Sequence, residues 1–185
     1  MKAGDDMFPY KIDDEINLIL PNPQLHASTI FNLVESNRSY LSKWLPWANN
    51  LNNVNDEVDF LNENLQQYRV EKSLNLLIQY HNQIVGAISF NKINHNRKYT
   101  DIGYWLGQEY SDNNIMHRCV LGMLSIGFKK YEFNKIIINA AVDNVASNRV
   151  AKKCGFHLDG VLRENELLLD GFHDENTWSM LCSEY

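Results

Sequence analysis

At 185 residues and 44% hydrophobic composition, the chain is long enough for one domain with a substantial core and short for two. A formal net charge of −6 excludes a strongly basic nucleic-acid binder, because phosphate backbones are held mainly through clustered Lys and Arg; a basic peptide partner suits this surface better. Met1 to Tyr10 contain Asp5 and Asp6 and no apolar run, so no signal or transit peptide is expected, and no stretch is long and apolar enough to span a bilayer.

Residues 1–15 are expected to form a loose leader and residues 16–185 a single domain, since no repeat, charge block or Pro/Gly-rich linker marks a boundary. A first strand is predicted near Ile16 to Leu20. Pro23 suits the first turn of a helix running to about Ser36, and a second helix follows from Val54, Val58, Leu61, Leu65 and Tyr68 at helical spacing. Asp56 and Glu57 fall near its start, where the helix dipole favours acid. Leu74 to Tyr80 and Ile84 to Phe90 are strand-like and are separated by the polar turn His81-Asn82-Gln83, which predicts a hairpin.

A polar loop then leads to a strand over Tyr99 to Leu106. Ile115, Cys119, Val120, Met123, Leu124, Gly127 and Phe128 recur on one stripe of a helix ending near Tyr131. Ile136 to Val142 is continuous and apolar, which predicts an interior strand covered on both faces. Ala146 to Cys154 is a short helix that Gly155 can end in a left-handed conformation, and strands over Phe156 to Arg163 and Glu175 to Leu181 flank an Asp170-Gly171 turn. Strand, two helices, three strands, helix, strand, helix and two strands make an α+β (mixed α/β) sheet covered by helices.

Cys119, Cys154 and Cys182 lack metal-ligand spacing and lie within apolar patterns, so buried free thiols in a reducing cytoplasm are expected. The six histidines show no paired spacing with one another or with the cysteines, and no metal site is proposed.

The run from Ile102 to Met116 delivers the end of a strand to a helix amino terminus, a junction that holds phosphates elsewhere. It resembles the cofactor core of the GNAT superfamily of N-acetyltransferases. Trp44-Leu45-Pro46-Trp47, Ile84 to Phe90, Asp101 to Leu106, and Asn144 to Phe156 with its Asn-x-x-Ser start and terminal Gly-Phe resemble, in order, segments of the branch that acetylates ribosomal-protein amino termini, often called RimL-like. The resemblance covers roughly residues 16 to 181 on the usual uncertainty of element boundaries. It implies a mixed, mostly antiparallel sheet of about seven strands covered by about four helices. It also implies acetyl-CoA as acetyl donor, with a protein amino terminus or a small amine as acceptor, and a homodimer is compatible with it.

Acetyl transfer to an amine needs a neutral nucleophile, an oxyanion site and a proton source for the departing thiolate. An α-amino group, with a pKa of about 8 against about 10.4 for lysine, is the easier acceptor to deprotonate. The candidate bases are Glu109, at the end of the Tyr99 to Leu106 strand, and Asp101, earlier on it; a shift of one residue would put Gln108 in place of Glu109. The resemblance implies Ser147 as general acid toward sulfur, while a serine there is also an ordinary helix cap. Asn144 is a candidate partner of the pantetheine amides, and backbone N–H groups near Trp105 and Leu106 would meet the oxyanion. Trp44 and Trp47 bracket Pro46 and are candidates for the wall of an acceptor groove, whereas Trp105 suits core packing.

The phosphate loop departs from the family. Its usual form, Gln/Arg-x-x-Gly-x-Gly/Ala, is replaced by Glu109-Tyr110-Ser111-Asp112-Asn113-Asn114, leading into Ile115 and Met116. Glycine admits positive φ and close approach of backbone N–H groups to a diphosphate. Asn114 can substitute in part, because Asn visits the left-handed region. Asp112 would repel an anionic ligand or cap the helix itself, and His117, Arg118, Lys152 and Lys153 are the cations available to compensate. The expected function is an acetyl-CoA-dependent N-acetyltransferase; the alternative is a weak or inactive relative that keeps the fold as a binding module.

Overall fold

Asn22 starts the first helix as Pro23 predicts: its side chain accepts hydrogen bonds from the N–H groups of Gln24 and Leu25, with Pro23 in the first turn where no intrahelical donor is needed. The computed structural model describes residues 7–111 and 113–185. Its strands are β1 (Tyr10–Lys11), β2 (Ile16–Ile19), β3 (Leu74–Tyr80), β4 (Gln83–Phe90), β5 (Tyr99–Leu106), β6 (Lys135–Ala141), β7 (His157–Leu168) and β8 (Gly171–Leu181); its helices are α1 (Pro23–Ser36), α2 (Arg38–Leu41), α3 (Val54–Arg69), α4 (Ile115–Lys129) and α5 (Val145–Lys153). They form one sheet in the order β1-β2-β3-β4-β5-β6-β8-β7, antiparallel throughout except for the parallel β5–β6 pair. This is the expected mixed α+β sheet, with a short strand and a short helix more than the sequence predicts.

One face of the sheet carries Ile16, Phe90, Ile102, Ile136 and Ile138 against Val120, Met123 and Leu124 of α4, all 3% exposed or less. The other face carries Leu77 against Ala27, Ile30 and Val34 of α1 and Leu61 of α3. Burial on both sides, at roughly 25 cal/mol per Å² of apolar surface, fixes the register of the central strands. α3 begins with a capping box in which Asn53 and Asp56 satisfy each other's backbone donors.

Three expectations are corrected. The second half of the supposed leader is docked: Tyr10–Lys11 pair with β2, Met7, Phe8, Tyr10 and Ile12 pack on the core, and Arg118 of α4 bonds Asp13 at 2.8 Å and Glu15 at 2.7 Å. The apolar residues there follow neither a helical nor a strand period long enough to signal it. β6 is not covered on both faces; Asn139 is exposed at its centre. Cys119 and Cys154 are buried free thiols, but Cys182 is exposed, because it lies beyond the end of β8 in a terminal turn.

Candidate acetyltransferase site

The site originates in a failure of strand pairing. β5 and β6 are joined only over Tyr99–Asp101 and Lys135–Ile137, and beyond Asp101 the two strands separate. β5 stays paired to β4 on its other side through Leu106, so one edge of Ile102–Leu106 faces an opening rather than a neighbour. A cleft of about 1060 Å³ occupies that opening. Its walls come from β5, the amino-terminal end of α4, the end of β6, α5, and the α2 region with Trp44.

Alternation along the strands sorts the lining. Directly opposed residues share a face, so Asp101, Ile137, Asn139, Ala141, Glu175 and Thr177 lie on the α1–α3 side of the sheet. Ile102 and Tyr104 alternate onto, or toward, the α4–α5 side, where Tyr104 is buried enough to push its phenol up to about 12, opposed by its bond to Ser147. Tyr104 Oη lies 2.9 Å from Ser147 Oγ and 3.3 Å from the Ser147 carbonyl.

Ser147 is held by its own helix. Asn144 Oδ1 accepts the Ser147 N–H at 3.2 Å and so caps α5. Asn148 anchors the same turn: it donates to the carbonyls of Ala141 and Asn144, both at 2.9 Å, and accepts from Trp178 Nε1 at 2.8 Å and Asn176 Nδ2 at 2.7 Å. Gly155 ends α5 at φ +85°, and the Gly155 and Phe156 N–H groups return to the carbonyls of Lys152 and Ala151 in a Schellman arrangement.

At the start of α4, Asn114 takes the left-handed conformation that its residue type permits, φ 59° and ψ 13°. Its side chain makes no cap bond and instead accepts from Lys153 Nζ at 2.5 Å. The first N–H groups of a helix have no partner within it, so Ile115, Met116 and His117 present donors toward the cleft they line. Asp112 and every expectation that rests on it lie outside the described residues. Arg118 is committed to Asp13 and Glu15, while Lys153 and Arg149 line the cleft. Lys152, one position round the helix from Lys153, is exposed and is not in the lining. Burial and the nearby Lys153 hold the His117 imidazole below its usual range, which favours its neutral form.

The remaining wall of the cleft holds Trp44, Asp101, Glu166 and Glu175. Asp101 accepts from Asn91 Nδ2 at 2.7 Å, and Gly103 leaves that amide undisturbed, since a Cβ there would lie 2.7 Å from its nitrogen and make the side chain shift. Trp47 does not line the cleft; it is 41% exposed and packs edge-on against Trp105, ring centroids 6.1 Å apart. Glu109 sits outside the cleft, in a shallow depression with Ser36 and Asn37, because its short helical turn points it away; neighbouring Gln108 lines the cleft and donates its N–H to Asn37 Oδ1 at 2.8 Å. Trp105, Leu106, Asn114, Ile115, Met116, Asn144, Ser147 and Asp101 are thus brought together around one opening, and Glu109, Lys152, Asn113 and Trp47 are not.

Sequence reasoning missed Tyr104, Glu166 and Glu175, and it named Lys153 only as one of four cations that could compensate for the altered loop. Tyr104 had a signal, since alternation turns its hydroxyl toward the core, where a phenol needs a partner. Lys153 continues the Ala146, Arg149, Val150 stripe of α5 at helical spacing. The two glutamates had none, because a register irregularity in β7 sets their pairing.

A profile of the acetyltransferase (GNAT) domain matches residues 17–157. The chain belongs to this family. It is 26% identical over 156 residues to the ribosomal-protein-serine acetyltransferase of Escherichia coli K12, covering 84% of this chain and 87% of the relative. Among solved structures, the microcin C7 self-immunity acetyltransferase MccE, in complex with acetyl-CoA and AMP, superposes with a TM-score of 0.89 at 33% identity, over 92% of this chain and 94% of that one. RimL, the ribosomal L7/L12 α-N-protein acetyltransferase in complex with coenzyme A, shares the fold at a TM-score of 0.90 and 24% identity, over 95% and 98% of the two chains.

The chain is therefore an N-acetyltransferase that uses acetyl-CoA. The residues fit that donor: unpaired β5 backbone suits pantetheine amides, and α4 amides with Lys153 and Arg149 suit phosphate. Bound acetyl-CoA supplies an activated thioester carbonyl. Among the described residues no group of three or more His, Cys, Asp or Glu could hold a metal ion, and no helix is long and apolar enough to cross a membrane.

Proposed function

We propose that this acetyltransferase modifies the α-amino group of a ribosomal-protein-like amino terminus. The observation that carries the reading is the opening between β5 and β6, with Ser147 on one side of the sheet and an aromatic, carboxylate-rich wall on the other. The Escherichia coli relative, named for a ribosomal-protein serine, supports the acceptor class.

In this reading Tyr104 donates its hydroxyl hydrogen to Ser147, which leaves the Ser147 O–H free to deliver a proton to the departing sulfur. Backbone N–H groups near Trp105 and Leu106 meet the oxyanion, and Asn144 holds Ser147 in place. Lys153 takes the part of the missing glycines by bringing positive charge to the α4 terminus. Trp44 walls the acceptor groove. Asp101, held by Asn91, is a better placed base than Glu109, which lies outside the cleft. The compartment this reading calls for is the cytoplasm.

A second reading is favoured by the likeness to MccE, solved in complex with acetyl-CoA and AMP: an acceptor amine that carries an adenosine nucleotide, with Trp44 of the cleft wall as the flat surface offered to its base. The test is thiol release from acetyl-CoA with peptides bearing free amino termini and with an aminoacyl sulfamoyl adenosine, followed by mass spectrometry. Transfer to a peptide α-amine supports the first reading, and transfer to the adenosine compound alone supports the second. Micromolar acetyl-CoA binding by calorimetry without transfer to any amine would leave a binding module and refute both.

A further inference from the structure

Asn139 stands exposed at the centre of β6, between Ile137 and Ala141 on the α1–α3 side of the sheet. In the run Ile136-Ile137-Ile138-Asn139-Ala140-Ala141 it is the misfit, since asparagine is depleted in strands. A residue that breaks the local rule without adding to the core is a candidate for function. The face around it is open. The apolar cluster under α1 and α3 draws on β2, β3, β4 and Trp105 of β5 and, among the described residues, on nothing from β6, β7 or β8.

Four asparagines line the cleft, and three of them are engaged. Asn91 donates to Asp101 at 2.7 Å and accepts from Ser89 Oγ at 2.6 Å, Asn114 accepts from Lys153, and Asn144 accepts the Ser147 N–H. Asn139 has no hydrogen-bond partner among the described residues, so both ends of its carboxamide are available in the cleft. Directly opposite it on β8 is Thr177, whose Oγ1 is buried and also without a partner among the described residues. Opposed side chains have Cβ atoms about 4.5–5.5 Å apart, which puts the Thr177 hydroxyl where it can hold the Asn139 amide. On the other side β5 has parted from β6. Asp101 pairs with Ile137, so two residues further along each strand Gly103 and Asn139 face each other across the opening, and Gly103 has no side chain to fill it.

The dimensions suit a peptide. α5 follows β6 directly and Asn148 bonds the Ala141 carbonyl at 2.9 Å, so Ser147 belongs to the Ala141 end of the cleft. An extended chain advances about 3.3 Å per residue, so an acceptor whose amine meets the thioester level with Ala141 brings its second residue toward Asn139. The N–H and C=O of one extended residue point the same way and exchange bonds with a partner as a pair. A carboxamide offers the complementary acceptor and donor side by side. An adenine base could take the same two bonds, but the sugar and linker of an aminoacyl nucleotide carry it many bonds further from the amine.

We propose that Asn139 reads the acceptor as a peptide: its carboxamide accepts the N–H and donates to the C=O of the acceptor's second residue, with Thr177 as a positioning residue. This deepens the amino-terminal acetylation reading and rests on it. An amine without a second residue has neither group to offer, so the subsite selects peptide amino termini over small amines.

The test is calorimetric titration, in the presence of coenzyme A so that no transfer occurs, of a Ser-Ala dipeptide amide and of its ester analogue with oxygen in place of the peptide nitrogen. Wild type is expected to bind the peptide at least tenfold more tightly, because the ester lacks the N–H. Asn139→Ala should reduce that preference to within about twofold while acetyl-CoA affinity holds, and Asn139→Asp, which keeps the accepting oxygen, should retain at least fivefold. If Asn139→Ala fails to fold by circular dichroism, Thr177→Val must lower the preference at least threefold. Wild type that binds peptide and ester equally, or binds neither, overturns the inference, as does a folded Asn139→Ala that keeps the preference. Absence of acetyl transfer to every amine would instead count against the acetyltransferase reading, which the binding comparison does not measure.

Discussion

Tyr104 and Ser147 meet hydroxyl to hydroxyl at 2.9 Å, linking β5 to α5 at the point where β5 has lost its contact with β6. The phenol is buried and stays protonated, so it is a permanent donor at physiological pH. Ser147→Ala is expected to lower kcat by about a hundredfold while the acetyl-CoA Kd changes by less than about twofold, the pattern of a group acting mainly in the transition state. Tyr104→Phe should give an intermediate loss of about tenfold, since it removes only the orienting bond. Steady-state kinetics with calorimetry checks both, and an unchanged kcat in Ser147→Ala would reduce the serine to a helix-cap residue.

The tryptophans should separate. Trp44 lines the cleft and Trp47 props Trp105 from outside it. Trp44→Ala is expected to raise the acceptor KM by about tenfold with acetyl-CoA affinity intact. Trp47→Ala should act mainly on stability, by at least the roughly 0.5–1.5 kcal/mol of an aromatic edge contact, read as a lower Tm. Equal KM effects would refute the distinction.

For donor binding, Lys153→Ala should weaken acetyl-CoA by about tenfold, corresponding to about 1.4 kcal/mol, and Lys152→Ala by less than about twofold, because only Lys153 reaches the α4 terminus. The Lys153 effect should shrink with added salt. Asn114→Gly preserves the left-handed backbone and releases Lys153, so it should bind acetyl-CoA at least as well as wild type. Calorimetry at two ionic strengths decides.

Glu57, in the first turn of α3, is 4% exposed, and burial pushes its carboxyl up to about 7. The folded state therefore holds the proton more tightly than the unfolded chain, and this contribution to stability is fully present below about pH 4.5 and lost as pH rises through about 7. Glu57→Gln should flatten the fall in stability across that window and leave the protein about 1–3 kcal/mol more stable near pH 8. Urea melts across the range provide the measurement, and a variant with the wild-type slope would refute the assignment.

Sequence alone determined the helices and strands whose cause is local. Pro23 after a capping Asn, the His81-Asn82-Gln83 turn, the stripe of α4 and Gly155 after α5 each specify their conformation within a few residues, whereas the family was legible as a resemblance carried by Trp44-Leu45-Pro46-Trp47, Ile84 to Phe90, Asp101 to Leu106 and the Asn-x-x-Ser segment. Ser147, Asn144 and Asp101 followed from motif and order. Tertiary structure decided what depends on pairing between distant strands. The separation of β5 from β6, the irregular register that puts Glu166 beside Glu175, the bond from Lys153 to Asn114 and the short turn that carries Glu109 out of the cleft all join residues whose relative positions no local pattern encodes. Periodicity tells which face a side chain takes; only the packed sheet sets which strands lie side by side and where they part.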